Sequence, residues 1–170
     1  MIIGITGGIG SGKSTIAKQL RAMGYAVYDT DSEAKRLIVE DAHVRQQMEQ
    51  LFGKEVYADG VYQTALVAQR VFASPPFRGE TEGGLFFVEC AILYQAGIDA
   101  LCDKVVAVTA PEDIRLSRVI ARDRSDIDKV RARMRAQNVE EDLNRADIII
   151  NNDGNTPIPI LCEQMLKELT

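Results

Sequence analysis

The stretch that decides the fold is Gly7-Gly8-Ile9-Gly10-Ser11-Gly12-Lys13-Ser14. Its spacing is G-x-x-x-x-G-K-[ST], that of a loop that wraps nucleotide phosphates. Glycines suit this task because they adopt positive φ and carry no Cβ, so successive backbone N–H groups can converge on phosphate oxygens. Lys13 supplies a positive charge for the β and γ oxygens, and Ser14 supplies a hydroxyl for Mg²⁺. The motif therefore predicts binding of ATP or GTP.

The residues on both sides of this loop favour the same interpretation. Residues 1–6 are predicted to form a short buried strand, and residues 15–23 a helix with Ile16, Ala17 and Leu20 on its apolar face. A phosphate loop requires this order of strand, glycine-rich turn and helix, because the helix dipole then points its positive end at the anion. The alternative is a glycine-rich turn in another α/β fold, which the complete spacing disfavours.

Further apolar runs predict the rest of a parallel sheet. They alternate with segments of helical spacing, among them residues 33–39 and 44–52. Strands in such an alternation are buried on both faces by helices. The predicted fold is therefore α/β, with one parallel sheet between helices, in a single domain of residues 1–170. The additional strands are predicted at residues 25–28, 85–88, 105–108 and 148–150.

Composition narrows the functional classes. The chain has 170 residues, a formal net charge of −5 and no apolar run long enough to span a membrane. The acidic balance disfavours nucleic-acid binding. Cys90, Cys102 and Cys162 lie among apolar residues, which is typical of unpaired core thiols in a reducing compartment, and the only histidine, His43, is interpreted as incidental. We expect a cytoplasmic monomer that binds neither nucleic acid nor membranes.

Acidic residues follow two predicted strands, at the edge where an open parallel sheet binds its ligands. Asp29 and Asp31 come after residues 25–28, so one of them is a candidate acceptor for the proton of a substrate hydroxyl. The alternative for Asp31 is a helix N-cap. Glu89 follows residues 85–88 and is a candidate to hold Mg²⁺ through water, the alternative being a local cap or ion pair.

Arginines are concentrated after Ile114. Arg118 and Arg122 are four residues apart, so they share a helix face and could both reach one polyphosphate. Residues 123–128 then interrupt the helical pattern, which predicts a helical hairpin that closes over a triphosphate as a lid. The alternative is a solvated hairpin whose arginines pair with acidic neighbours. The arginines are Arg115, Arg118, Arg122, Arg124, Arg131, Arg133 and Arg135.

Together these features resemble the dephospho-CoA kinases, a family of P-loop kinases. The opening T-G-G-I-G-S-G-K-S at residues 6–14 is narrower than a generic phosphate loop. Residues 146–154, A-D-I-I-I-N-N-D-G, are similar to the family's A-D-x-x-I-x-N-x-G. The resemblance also includes Asp29-Thr30-Asp31, Lys35-Arg36, residues 92–97, and the spacing of Arg118, Arg122-Asp123, Arg133 and Gln137.

This resemblance implies a P-loop kinase fold with a helical acceptor region at residues 32–84 and an arginine-rich lid at residues 118–137. It implies transfer of the γ-phosphoryl group of ATP to the ribose 3′-hydroxyl of dephospho-CoA, with Mg²⁺ as cofactor. Asp31 would be the general base, and Lys13, Arg118 and Arg122 would neutralise the moving phosphoryl group. The residues implied for ATP binding are Gly8, Ile9, Gly10, Ser11, Gly12, Lys13, Ser14, Thr15 and, beside the adenine, Asn152.

Two departures concern the acceptor side. Ala91 and Gln95 stand where the family usually has Pro and Glu, so Gln95 is given no catalytic role. Between Ser74 and Leu85 the chain lacks a helical stretch with a His-Pro pair. Either the acceptor region is reduced or a stretch is omitted from this sequence, and the normal matches on both sides favour omission.

Two other functions stay open. A P-loop kinase for a nucleoside, a nucleotide or another small hydroxyl acceptor would share the loop, the aspartate and the lid. A nucleotide-dependent switch would need no acceptor, but the chain has no Asn-Lys-x-Asp guanine signature.

Overall fold

A computed structural model describes residues 1–30, 45–46, 48–50, 53–60, 62–63, 66, 84–124, 126–137 and 139–170. Its strands form one parallel sheet in the order β2-β3-β1-β4-β5. Each observed strand lies within one residue of its predicted bounds, which confirms the predicted parallel sheet. The strands are β1 (Ile2–Thr6), β2 (Ala26–Asp29), β3 (Phe86–Glu89), β4 (Lys104–Thr109) and β5 (Ile148–Asn151).

The helices follow the strands as the sequence pattern indicates. Helix α1 begins two residues earlier than the predicted residues 15–23, because Gly12 takes a left-handed conformation and the helix starts at the next residue. The predicted helix 33–39 and Asp31 lie outside the described residues, as does His43. The helices are α1 (Lys13–Ala22), α2 (Glu112–Asp123), α3 (Ile127–Arg135), α4 (Val139–Arg145) and α5 (Ile158–Leu169), with 3₁₀ turns at Lys54–Gly60 and Asp99–Leu101.

Both faces of the sheet are covered. Ile3 and Phe87 face a layer in which helices α1 and α5 pack against each other and against the strands. Phe86 and Val88 face the opposite layer, which in the described part includes the segment 93–102. Side chains alternate between the faces along a strand, so strands buried on both sides read as continuous apolar runs. The predicted α/β fold is therefore confirmed.

The break between α2 and α3 is shorter than the predicted turn at residues 123–128. Arg124 has a φ of 49° and closes α2, and Asp126 caps α3. The Asp126 carboxylate accepts hydrogen bonds from the amides of Asp128 and Lys129, at 2.9 and 3.3 Å. Arg124 and Asp126, which the sequence pattern places in a longer loop, are thus helix caps, and Asp128 lies in the first turn of α3.

The carboxyl ends of the strands meet along one edge of the sheet. Thr6 leads into the glycine-rich loop, and Glu89 lies next to Asp29 in the strand register. Asn151 lies next to Thr109 at the other end of the same edge. Ligands of open parallel sheets bind at this edge. None of the helices that the structure describes is long and apolar enough to cross a bilayer.

Candidate active site

The glycine-rich loop joins β1 to α1 and has a shape that requires glycine, for example at Gly10 and Gly12. Gly10 and Gly12 have φ values of 79° and 97°. A Cβ on Gly10 would lie 2.5 Å from the carbonyl oxygen of Arg115, and a Cβ on Gly12 would collide with Nδ2 of Asn152. Both glycines are therefore required by backbone conformation and by the close approach of neighbouring elements.

Hydrogen bonding divides the backbone amides of this loop into two groups. The Ser11 N–H donates to the Gly8 carbonyl at 3.1 Å, and the Ile9 N–H donates to Oε1 of Gln137 at 2.7 Å. The amides of the second group lie in the loop and at the start of α1, and within the described part of the chain they have no protein acceptor. Such amides form an anion site, which the helix dipole strengthens. They include the N–H groups of Gly10, Gly12, Lys13 and Ser14.

Lys13 is buried beside this loop. The residue is 8% exposed, and its Nζ donates to the Gly8 carbonyl at 3.4 Å. Burial lowers the pKa of the Lys13 ammonium, while the Glu89 carboxylate favours the charged form and the Arg122 guanidinium disfavours it. A bound polyphosphate would compensate the desolvated charge. The loop thus holds a buried ammonium group close to its own backbone amides.

Asn152 and Arg118 hold the outer side of the loop. Asn152 is 3% exposed, and its Nδ2 donates to the Ser11 carbonyl at 2.9 Å. Arg118 Nη1 donates to the Asn152 carbonyl at 3.0 Å and to the carbonyls of Gly10 and Ser11 at 3.4 Å each. The C=O and N–H of one trans peptide point in opposite directions. A Ser11 carbonyl held from outside therefore turns the Gly12 N–H toward the inner side, where phosphate would bind.

Arg122 lies on the exposed side of α2 and is paired with its neighbour. Its Nε and Nη2 donate to the two carboxylate oxygens of Asp123 at 2.5 and 2.9 Å, and Arg133 lies 3.8 Å from the same carboxylate. The hydrogen bond from Arg122 lowers the pKa of the Asp123 carboxyl. This pairing is what the solvated-hairpin alternative expects, but the charge of Arg122 still acts at Lys13.

Oxygen ligands for a divalent cation are present at the same edge. Glu89 is 6% exposed, and the Thr30 amide and hydroxyl both donate to its backbone carbonyl at 3.0 Å. Ser14 is the second residue of α1 and is exposed. A hydroxyl and a carboxylate fit Mg²⁺, which keeps several waters and shares its coordination with phosphate oxygens. Among the residues described, no group of three or more His, Cys, Asp or Glu side chains forms a metal cage.

Two contacts of the loop were not anticipated from the sequence. Gln137 was noted only for its spacing in the family pattern, and it contacts Ile9 across 128 positions. Arg115 belongs to the arginine-rich stretch but precedes the predicted lid; its backbone packs against Gly10, and its Nε and Nη1 are buried without a partner among the described residues. Local sequence carries no signal for contacts of this range.

The comparisons with known proteins agree with this geometry. A family model for dephospho-CoA kinases matches residues 1–85 and 80–157. The chain belongs to the dephospho-CoA kinase family. A dephospho-CoA kinase of Porphyromonas gingivalis is 39% identical over 163 residues, covering 85% of this chain and 81% of the relative. The crystal structure of TT1252 from Thermus thermophilus is similar with a TM-score of 0.67 and 31% identity, covering 100% of this chain and 98% of that one.

The family is one of phosphoryl-transferring enzymes, which confirms the predicted enzyme class. A dephospho-CoA kinase of Bacteroides fragilis is 33% identical over 177 aligned positions, covering 92% of this chain and 86% of the relative. That alignment is longer than the 170 residues of the chain, so the relative contains residues that this chain lacks. The two family-model matches overlap at residues 80–85. This overlap lies in the segment between Ser74 and Leu85, where the sequence lacks a helical stretch of the family.

Proposed function

We propose that the protein transfers the γ-phosphoryl group of ATP to the ribose 3′-hydroxyl of dephospho-CoA, giving coenzyme A and ADP. The observation that carries the proposal is a glycine-rich loop with a buried lysine and with amides that no acceptor among the described residues engages, in a chain of the dephospho-CoA kinase family. Phosphoryl transfer needs little covalent chemistry from the protein, so alignment and charge neutralisation supply most of the catalysis.

The nucleotide would occupy the inner side of the loop. Lys13 would neutralise the β and γ oxygens, and the free amides would hold the remaining phosphate oxygens. Asn152 would hold the loop and border the adenine side. The residues proposed to bind ATP are Gly8, Ile9, Gly10, Ser11, Gly12, Lys13, Ser14, Thr15 and Asn152.

Mg²⁺ is part of the proposal. Ser14 would ligate it through its hydroxyl and Glu89 through water, a set that suits an ion bound mainly by phosphates and waters. Bound Mg²⁺ would supply charge neutralisation at the β and γ phosphates. Burial of Glu89 near Lys13 keeps a carboxylate and an ammonium together at the point where the two substrates would meet.

The acceptor would enter from the side of β2. Asp29 ends this strand beside Glu89, and Asp31, two residues later, is proposed as the general base for the 3′-hydroxyl. Arg118 and Arg122 are proposed to neutralise the moving phosphoryl group. Support for Arg122 is its electrostatic effect at Lys13, and support for Arg118 is its place against the phosphate loop.

The test is ADP release from Mg-ATP with dephospho-CoA, adenosine, AMP or no acceptor, measured side by side. We expect release that depends on dephospho-CoA, with coenzyme A as the product. Faster release with adenosine or AMP would move the assignment to a kinase for another hydroxyl acceptor, which the short segment near residues 80–85 favours. Release that is equal with and without acceptor would indicate a nucleotide-dependent switch.

We also propose that the protein acts as a monomer in the cytoplasm. All three cysteines are free thiols, and Cys90 and Cys162 are buried. Unpaired thiols suit a reducing compartment. The molar mass in solution, measured by light scattering, tests the monomer directly, and a value near twice 18.8 kDa would contradict it.

A further inference from the structure

One peptide of the phosphate loop is held at both of its polar atoms. The N–H of the Gly8–Ile9 peptide donates to Oε1 of Gln137 at 2.7 Å, in a partly buried contact. The C=O of the same peptide accepts the Ser11 amide at 3.1 Å and Lys13 Nζ at 3.4 Å. Because the peptide is planar, its N–H and C=O cannot turn independently. Gln137 therefore fixes the direction of the carbonyl that contacts Lys13.

A flip of the Gly8–Ile9 peptide would exchange the hydrogen-bond acceptor beside Lys13 for a donor. The Gly8 oxygen would leave Ser11 and Lys13, and the Ile9 N–H would take its place. Both the internal turn of the loop and the position of the lysine depend on that carbonyl. A glycine next to the peptide lowers the barrier to such a rotation, because Gly8 tolerates a wide range of backbone angles.

The side chain of Ile9 is anchored to the same part of the molecule as its amide. It packs against a small apolar cluster between α2 and α3. Gln137 follows α3 directly, and its own amide donates to the Met134 carbonyl at 3.3 Å. Residue 9 is thus attached to the α2–α3 hairpin through both backbone and side chain. The buried members of the cluster are Val119, Val130 and Met134, with Leu116 and Ile120 partly buried beside them.

We propose that Gln137 is a positioning residue for phosphoryl transfer, which orients the Gly8–Ile9 peptide and thereby holds Lys13 and the phosphate loop in their ligand-binding arrangement. The proposal rests on the proposed function only in that the loop binds the phosphates of ATP. Gln137 and the apolar cluster also couple the α2–α3 hairpin to the phosphate loop at residue 9. If the α2–α3 hairpin closes over ATP, the residues that move must therefore be ones that do not contact Ile9.

The test compares Gln137→Met with Gln164→Met. Methionine has nearly the length of glutamine but offers no oxygen acceptor, and Gln164 is exposed on α5. Affinities for Mg-ADP and for adenosine are measured by calorimetry, together with hydrogen exchange of the Ile9 amide. We expect Gln137→Met to bind Mg-ADP about tenfold more weakly, because one hydrogen bond is lost and the phosphate loop is less well held. Adenosine affinity should not change, because adenosine carries no phosphate.

Three results would overturn the inference. They are an unchanged Mg-ADP affinity in Gln137→Met, an equal loss of affinity for adenosine, and an Ile9 amide that exchanges freely in the unmodified protein. The last measurement needs no variant and stands even if Gln137→Met does not fold. Gln137→Glu keeps an acceptor oxygen and should keep the Ile9 amide protected. Failure of the unmodified protein to bind Mg-ADP would instead refute the proposed function.

Discussion

The inner and outer sides of the phosphate loop are built in different ways. The inner side comes from consecutive residues, 7–14, whose amides and lysine are proposed to bind the phosphates. The outer side is held by Arg118, Gln137 and Asn152, which are more than a hundred positions away. Ligand chemistry is thus encoded locally, whereas the shape that makes it effective depends on tertiary contacts.

The largest effect is expected from the inner side. Lys13→Met removes the only charge that the motif itself supplies, so we expect kcat/KM for ATP to fall by about 10² to 10³. Lys18→Met is the matched control, because Lys18 is exposed on α1. Steady-state kinetics on both variants gives the comparison. Equal activities would show that the inner side does not carry the transfer.

Gly12 is the position where both sides meet. Gly12→Ala forces a Cβ into a residue with φ of 97° and against Nδ2 of Asn152. The loop can relieve this collision and a strain of about 1–2 kcal/mol only by leaving its ligand-binding shape, so we expect a Mg-ADP affinity roughly a hundredfold lower. Calorimetric titration measures this directly.

Gly97→Ala is the control for Gly12→Ala. Gly97 has a φ of 67°, but a Cβ there would meet nothing within 4 Å. It therefore has the backbone cost without the collision, and its Mg-ADP affinity should equal that of the unmodified protein. If both variants lose affinity equally, the loss comes from general destabilisation of the protein by a left-handed alanine, and the collision with Asn152 has no part in it.

A smaller effect is expected from the outer side alone. Asn152→Leu keeps the branched shape of the side chain but removes the donor to the Ser11 carbonyl, so the Gly12 amide is less firmly turned inward. We expect Mg-ADP affinity to fall about fivefold to tenfold. Asn151→Leu, at an exposed neighbour, is the control. An unchanged affinity in Asn152→Leu would mean that Arg118 suffices to hold the loop.

The contrast between the two sides explains what could be predicted from the sequence. Apolar runs in the sequence predict all five described strands, and the motif at residues 7–14 predicts the inner side of the loop. Both predictions succeed because they depend only on neighbouring residues. Arg118 was predicted to face the phosphates, and the structure shows it donating to the carbonyls of Gly10 and Ser11. Charge and helix face can be read from spacing, but the direction of a long side chain depends on the fold around it.

Asn152 shows the same limit. The family pattern implies a position beside the adenine, and the structure adds that its side-chain amide is engaged by Ser11 and Arg118. A buried polar group must find partners within the protein, and those partners can be identified only when the fold is known. The role of Asp31, outside the described residues, rests on its position after β2 and on the family resemblance.

The smallest effect is expected for Arg122, which belongs to neither side of the loop. Its pair with Asp123 is solvated, with 64% of the Arg122 side chain exposed, so Arg122→Met should leave thermal unfolding nearly unchanged. If its charge assists the transfer, kcat should fall by about tenfold or less while the affinity for Mg-ADP is kept. Asp123→Asn separates the two roles, because it releases Arg122 without removing its charge. Equal kcat values in Arg122→Met and Asp123→Asn, both below that of the unmodified protein, would assign the effect to the pair, and the inner side of the loop would then act without help from the hairpin.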